Sequence, residues 1–250
     1  KFLGPSVNAA RNVGHTVNGQ ANSLTGSMMG AFSPAITNAY GAGDYERMRK
    51  LVFTMCKFGV VLSMLFAIPL FLELPEVLRL WLKNPPAYAS GFAGLYLVLM
   101  LMENATVGHM IAINASGKIS RYQVCMGCIS LLALPIAFAM AVTGVSPYLA
   151  GYSIMITVAA YTFVRLLFAR ILVALPLRTW VCGVALPTAT LCVCVGAIGC
   201  LPRLFMASSF WRIVVTTISC ELLFVPLSWM IVLSKEERGF VVDRLAPRFF

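Results

Sequence analysis

The sequence predicts an all-α, polytopic membrane protein that crosses a bilayer about seven times. Three observations lead there. Apolar residues make up 60% of the 250-residue chain and charged residues only 11%, whereas an ordinary soluble domain carries roughly a quarter charged residues. Runs of about 20 apolar residues, the length that spans hydrocarbon, follow one another from Leu51 to Leu233. The basic residues gather at alternate ends of those runs, as membrane topology requires. A mean hydropathy of +0.86 agrees.

The first helix, from about Pro5 to Tyr40, is more polar than the rest. Gly41 to Asp44 ends it, and the Asp44 carboxylate is placed to cap the next helix by accepting its orphan amides. Apolar spans are expected near Leu51–Leu72, Ala87–Ala112, Tyr122–Ala141, Leu149–Leu172, Trp180–Leu201 and Phe210–Leu233. Breakers separate them: Leu74-Pro75-Glu76, Asn84-Pro85-Pro86, Thr143 to Pro147, and Leu201-Pro202. Pro34, Pro69, Pro135, Pro187 and Pro226 fall inside helices, where packing within a bundle makes a kink rather than an end.

A net charge of +10 raises nucleic acid as a partner, but the distribution excludes it. Arg47, Arg49, Lys50, Lys57, Lys118, Arg121, Arg170, Arg178, Lys235, Arg238, Arg244 and Arg248 share one set of ends, and Lys1, Arg79, Lys83, Arg203 and Arg212 the other. The richer set belongs in the cytoplasm, which places the C-terminus inside. The eight cysteines lie almost wholly in apolar runs, where a thiol behaves as a small hydrophobe. Neither a disulfide framework nor a metal site is expected, and Cys125-x-x-Cys128 has no second pair or nearby His to complete one. The chain begins at Lys1 without a basic, cleavable leader, so a fragment of a longer protein is expected.

Chemistry concentrates on the first helix. Asn8, Arg11, His15, Asn18 and Asn22 recur at steps of three and four, and Thr25 continues them, so they share one face. Small residues, among them Ala10, Gly14 and Ala21, occupy other faces and allow close helix contact. Such a helix is expected to line a wet cavity; the alternative is a helix lying along the bilayer surface, for which the stripe is too narrow and too weakly charged. Arg11, costly at membrane depth unless paired or hydrated, is suited to hold an anion such as phosphate; snorkelling to the interface or a structural carboxylate partner is the alternative. Ser153, Thr157, Tyr161 and Arg165 form a second stripe at steps of four, in which Arg165 contacts either an anionic head group or the inner interface. Glu103 and Glu221 are carboxylates within spans. Glu103, with Tyr96, Thr106 and Asn114 near its face, is the candidate for ion coupling; Glu221 is expected to have a structural partner. His109 is expected to be a hydrogen-bonded core residue. No catalytic triad, zinc motif or glycine-rich phosphate loop is present, so transport is favoured over catalysis.

The runs SVNAARNV (Ser6 to Val13), AFSPAI (Ala31 to Ile36) and YGAGD (Tyr40 to Asp44), followed by LWLK before Pro86-Ala87-Tyr88, ASGKISRYQ (Ala115 to Gln123) and Leu134-Pro135, resemble in order and spacing the Wzx-type polysaccharide flippases of the MATE/MOP superfamily. The likeness extends over about residues 4 to 172. Asn12 departs from the glycine common after the arginine, and His15 and Asn18 stand where other polar residues are usual. The resemblance implies a second MATE-like lobe at 1–173, of five helices, and two additional helices with a cytoplasmic tail at 174–250. The first lobe would be missing.

That family moves undecaprenyl-pyrophosphate-linked oligosaccharide across the bacterial cytoplasmic (inner) membrane for surface polysaccharide synthesis. The implied substrate-binding residues are Arg11, Asn8, His15, Asn18, Asn22 and Arg165, with Glu103 coupling movement to protons or sodium; no cofactor is implied. Implied partners are the lipid-linked oligosaccharide, membrane lipids, the missing N-terminal lobe, and polysaccharide polymerase and chain-length proteins. A MATE-type exporter of cations would prefer cavity carboxylates to Arg11. A membrane glycan polymerase or ligase would need a large outer loop.

Overall fold

The computed structural model describes residues 4–142, 147–234 and 237–239. The turn expected over 143–146 and the basic residues Lys1, Lys235, Arg244 and Arg248 lie outside them. Among the described residues there are helices and connecting turns and no strand. We number them α1 (Gly4–Met29), α2 (Phe32–Gly41), α3 (Tyr45–Leu82), α4 (Ala89–Asn104), α5 (Val107–Ala115), α6 (Ser120–Val142), α7 (Pro147–Val173), α8 (Leu177–Phe205) and α9 (Phe210–Val232).

The chain is an all-α polytopic membrane protein. Helices α3, α7 (over Gly151–Val173), α8 and α9 are each long and apolar enough to cross a bilayer, and α4 with α5, bent by 43°, make a fifth span if taken together. Among the described residues the count is four or five rather than seven, for two reasons. The α1–α2 segment is too polar to qualify, and α6 is apolar over only Ser120–Ile136 among its described residues. Side chains such as Leu134 (70% exposed) and Ile171 (74%) point away from the protein, an arrangement tolerable in lipid and costly in water.

The expected first helix is divided at Gly30 and Ala31. Pro34 explains this: it has no amide to offer, and its ring opposes the carbonyl four residues back, at Gly30. Gly43, at φ 74°, then allows the left-handed turn, and Asp44 caps α3 by accepting the Arg47 amide at 3.0 Å. Helix α3 runs unbroken through Pro69 but leaves helical geometry at Glu73 (φ −108°, ψ 17°), two residues before Pro75. Single π-type turns widen α8 at Val181–Ala185, just before Pro187, and α9 at Ser228–Val232, just after Pro226; such turns commonly absorb a proline or an inserted residue.

Helix α3 is the hub. On one side α1 and α4 pack against it through Val7, Ala10, Ala67, Leu78, Phe92 and Leu97. Near its other end, Met48, Val52 and Met55 meet Ile36 of α2, Ile113 of α5 and Ala169 of α7. On the remaining side, Val60, Met64, Ile68 and Leu72 meet Leu191 and Val195 of α8 and Cys220 and Phe224 of α9. The last two helices are thus docked on the hub. Gly199 permits this, because a Cβ there would lie 2.5 Å from the Cys220 Sγ and 2.7 Å from Leu72.

Two ion pairs fix the docking. At the α3 kink, Glu73 is 1% exposed and its carboxylate accepts from Arg212 Nη2 at 2.9 Å, Arg212 Nε at 3.2 Å and Thr216 Oγ1 at 3.1 Å. Arg212, expected at the outer end of the last span, is buried in the first turn of α9. Toward the other end of α3, Lys57 Nζ donates to both Glu237 oxygens, at 2.8 and 3.1 Å. Burial raises the Glu237 pKa, but the Lys57 and Ser234 hydrogen bonds and the Lys57 charge outweigh it and hold the carboxyl below its ordinary value. Breaking a buried pair leaves an uncompensated charge, which costs about 3–5 kcal/mol, whereas replacing both partners with apolar groups is often nearly neutral. Arg212→Met should therefore lower the thermal midpoint in detergent sharply, and Glu73→Leu combined with Arg212→Met should recover most of that loss. An unchanged midpoint for the single variant would show that the pair does not anchor α9.

Candidate functional site

Helix α1 has two unlike sides. Its inner side, Val7, Ala10, Gly14, Ala21, Thr25 and Met29, is buried and rests largely on α4. The approach is closest at Gly14, where a Cβ would lie 2.8 Å from the Tyr96 ring and 3.0 and 3.1 Å from the Phe92 and Ala93 backbone. Only glycine fits there. The outer side carries Asn8, Arg11, Asn12, His15, Thr16, Gln20 and Ser23, all exposed. No other described helix covers Asn8, Arg11, Asn12 or His15, whereas Thr16 and Gln20, at the far edge of this face, look into a cavity walled by α3 and α9.

The edges of that face are tied to α4. Arg11 Nε donates to the Tyr96 hydroxyl at 3.3 Å, and the His15 ring stands edge-on to Tyr96 at 6.0 Å. About two turns deeper, Asn22 Nδ2 donates to Asn18 Oδ1 at 3.4 Å, and Asn22 Oδ1 accepts from Asn104 Nδ2 at 3.3 Å. Asn104 also donates to Ser63 Oγ of α3 at 2.7 Å, so a seam of amides and hydroxyls joins three helices. Asn8 has no hydrogen-bond partner among the described residues. Glu103, in the last turn of α4, is exposed and likewise unpartnered among the described residues; it follows Tyr96 by about two turns and shares its side of α4. The structure thus brings Arg11, His15, Asn18 and Asn22 together with α4 and sets Glu103 on the same helix.

No family model, curated protein or solved structure matches this chain. A functional reading therefore rests on the residues themselves.

Arg165 does not join this face. It is 9% exposed; its Nη1 donates to Thr106 Oγ1 at 2.9 Å and its Nε to the Tyr122 hydroxyl at 3.4 Å. These contacts lie among α5, α6 and α7, where the rest of the second stripe is also spent: Tyr161 hydrogen-bonds Ser130 of α6, and Thr157 bonds back to the Ser153 carbonyl. Arg165 closes the α4–α5 break. There Thr106 begins the bend, and Trp180 Nε1 donates to the Ala105 carbonyl at 2.8 Å, so side chains of α7 and α8 satisfy groups that the bend disturbs. His109 is buried, with Nδ1 3.4 Å from the Cys56 thiol and with Phe53 and Trp180 edge-on, as expected of a core histidine.

Glu221 differs from expectation. It has no hydrogen bond or ion pair among the described residues and lines a cavity of about 590 Å³ with Thr16, Gln20 and Thr217. The buried carboxylate with structural partners is Glu73 instead, which sequence reasoning placed in a loop. Its signal was weak: an acid between two prolines, answered by Arg212 and Thr216 at a helical step of four. Among the described residues, no cluster of His, Cys, Asp and Glu is arranged to hold a metal.

Gly14→Val should drive α1 from α4 and separate Arg11 from Tyr96. Overpacking of this kind costs about 1–3 kcal/mol, so the thermal midpoint in detergent should fall, while Gly19→Ala, whose Cβ meets nothing within 4 Å, should not lower it, since alanine is the better helix former. Equal midpoints for both variants would contradict the close approach.

Proposed function

We propose that the chain is one lobe of a flippase that carries a lipid-linked, pyrophosphate-bearing oligosaccharide across the bacterial inner membrane. The observation that carries this reading is Arg11, an exposed guanidinium on the uncovered polar face of α1, whose one hydrogen bond among the described residues is to the neutral Tyr96 hydroxyl. A permanent, planar cation without a carboxylate is able to accept an anionic head group by paired, charge-assisted hydrogen bonds. Asn8, His15, Asn18 and Asn22 beside it offer neutral hydrogen bonds suited to sugars. The lipid tail remains in the bilayer, and a second lobe facing α1 completes the cavity and rocks against it. In this arrangement the first residues of the chain lie at the periplasmic end and the C-terminus in the cytoplasm, following the basic ends of the helices. Glu103, exposed and unpaired, couples the cycle to protons or sodium. Arg165 contributes by holding the α4–α5 bend rather than by touching the head group.

Glu103 also favours a second reading, a cation-coupled exporter, for which a carboxylate would be the principal ligand. The two readings differ over Arg11. Expressed from its complete gene in bacteria depleted of their own lipid-linked oligosaccharide flippase, the wild-type protein should restore surface polysaccharide. Arg11→Ala should reduce restoration by about tenfold or more, the scale of one charge-assisted hydrogen bond, and Arg11→Lys should retain part of it. Full restoration by Arg11→Ala would contradict phosphate capture. In the same cells, Glu103→Gln should abolish the dependence of export on external pH or sodium; an unaltered dependence would remove Glu103 from coupling.

A further inference from the structure

Away from the polar face, α4 and α8 both lean on α3 but scarcely on each other. The gap between them is a trough floored by α3. Its upper part is a cavity of about 630 Å³ that includes Ser90, Tyr152 and Arg203 in its walls. Its lower part, about 430 Å³, continues past Cys200, Gly196 and Val193 of α8. The two parts share Phe71, Leu72 and Val98, so they are one continuous depression.

Polarity is graded along it. The serine and the arginine are at the top, and the lower walls carry only alkyl, aromatic, glycine and thiol groups. Arg203 is exposed and has no carboxylate partner among the described residues. Exposed Trp81 (53%), at the end of α3, and Trp211 (69%), at the start of α9, lie at the same end of the bundle; exposed tryptophans at helix ends mark the head-group level of a bilayer. From Arg203 to Val193 is about 15 Å of helix, and from Ser90 to Leu101 on α4 slightly more. Half of a hydrocarbon core about 30 Å thick is the same length.

We propose that this trough is a binding site for a resident phospholipid with an anionic head group, whose phosphate contacts Arg203 and Ser90 and whose acyl chain lies along α8 to Val193. The charge at one end, the apolar floor and the single-leaflet length together fit such an amphiphile. Gly196, where a Cβ would meet nothing within 4 Å, leaves the room that the chain fills. The site is separate from the α1 face and does not depend on the flippase reading.

The test is photolabelling of the full-length protein in nanodiscs of phosphatidylcholine containing phosphatidylglycerol with a diazirine on its acyl chain, followed by peptide mapping. Label should concentrate on α8 around Gly196 and on α4 around Val98, and unlabelled phosphatidylglycerol should compete better than phosphatidylcholine. Arg203→Glu should lower labelling there by about tenfold, the scale of one lost charge-assisted phosphate contact, and Gly196→Phe should lower it by occluding the trough. Leu131→Phe, on the outer side of α6, should have no effect. Should Gly196→Phe fail to fold, the exposed Arg203 variant still decides the matter. Label spread evenly over all outward helices, labelling unaffected by Arg203→Glu, or displacement by undecaprenyl phosphate in preference to phosphatidylglycerol would each overturn the proposal.

Discussion

A polar group left without a partner in hydrocarbon costs several kcal/mol, and through most of this bundle the cost is avoided by pairing across helices. The Glu73 carboxylate has Arg212 and Thr216. The guanidinium of Arg165 has Thr106 and Tyr122, and the carbonyl freed at Ala105 has Trp180. Lys57 has Glu237. These contacts set the geometry as well as satisfying it: the first anchors α9 to the kink of α3, and the Arg165 group stabilises a bend of 43° in the middle of an otherwise apolar span.

Against that background, the uncovered side of α1 is the exception. Asn8, Arg11, Asn12, His15, Thr16 and Gln20 are exposed together on one helix, and Glu103 is exposed beside them on α4. Lipid would not tolerate this surface, so water or another polar wall must face it. On the proposed function, the same residues that disqualify α1 as a simple apolar span are those that hold a polar, anionic cargo.

Much of this was legible in the residues because it is periodic. Steps of three and four from Asn8 to Asn22 define a helix face irrespective of partners, and the glycine at position 14 announces a close neighbour without naming α4. What periodicity cannot supply is pairing at long range. Glu73 and Arg212 are 139 positions apart; read alone, Glu73 fell just past the end of one expected span and Arg212 at the outer end of another. Arg165 shows the converse case. Its stripe of Ser153, Thr157 and Tyr161 left an anionic head group and the inner interface both open as partners, and in the fold Arg165 and Tyr161 are instead engaged by α5 and α6. A polar stripe marks either a cavity or a helix contact, and only the neighbours decide which. The α4–α5 bend had its own trace in the run Glu103-Asn104-Ala105-Thr106, where three of four residues in mid-span lack the apolar character of their surroundings.

The claim on which the account turns is that the α1 face meets water within the membrane. Single cysteines placed along α1 in a background without the eight native ones, then treated in intact membranes with a small, charged, lipid-insoluble thiol reagent, measure this directly. A water-facing stripe should react at positions 8, 12, 15 and 16, continuing to 20 with helical period, and not at 10, 21 or 25 on the buried side. Reaction confined to the first turn, or absent along the whole stripe, would contradict it.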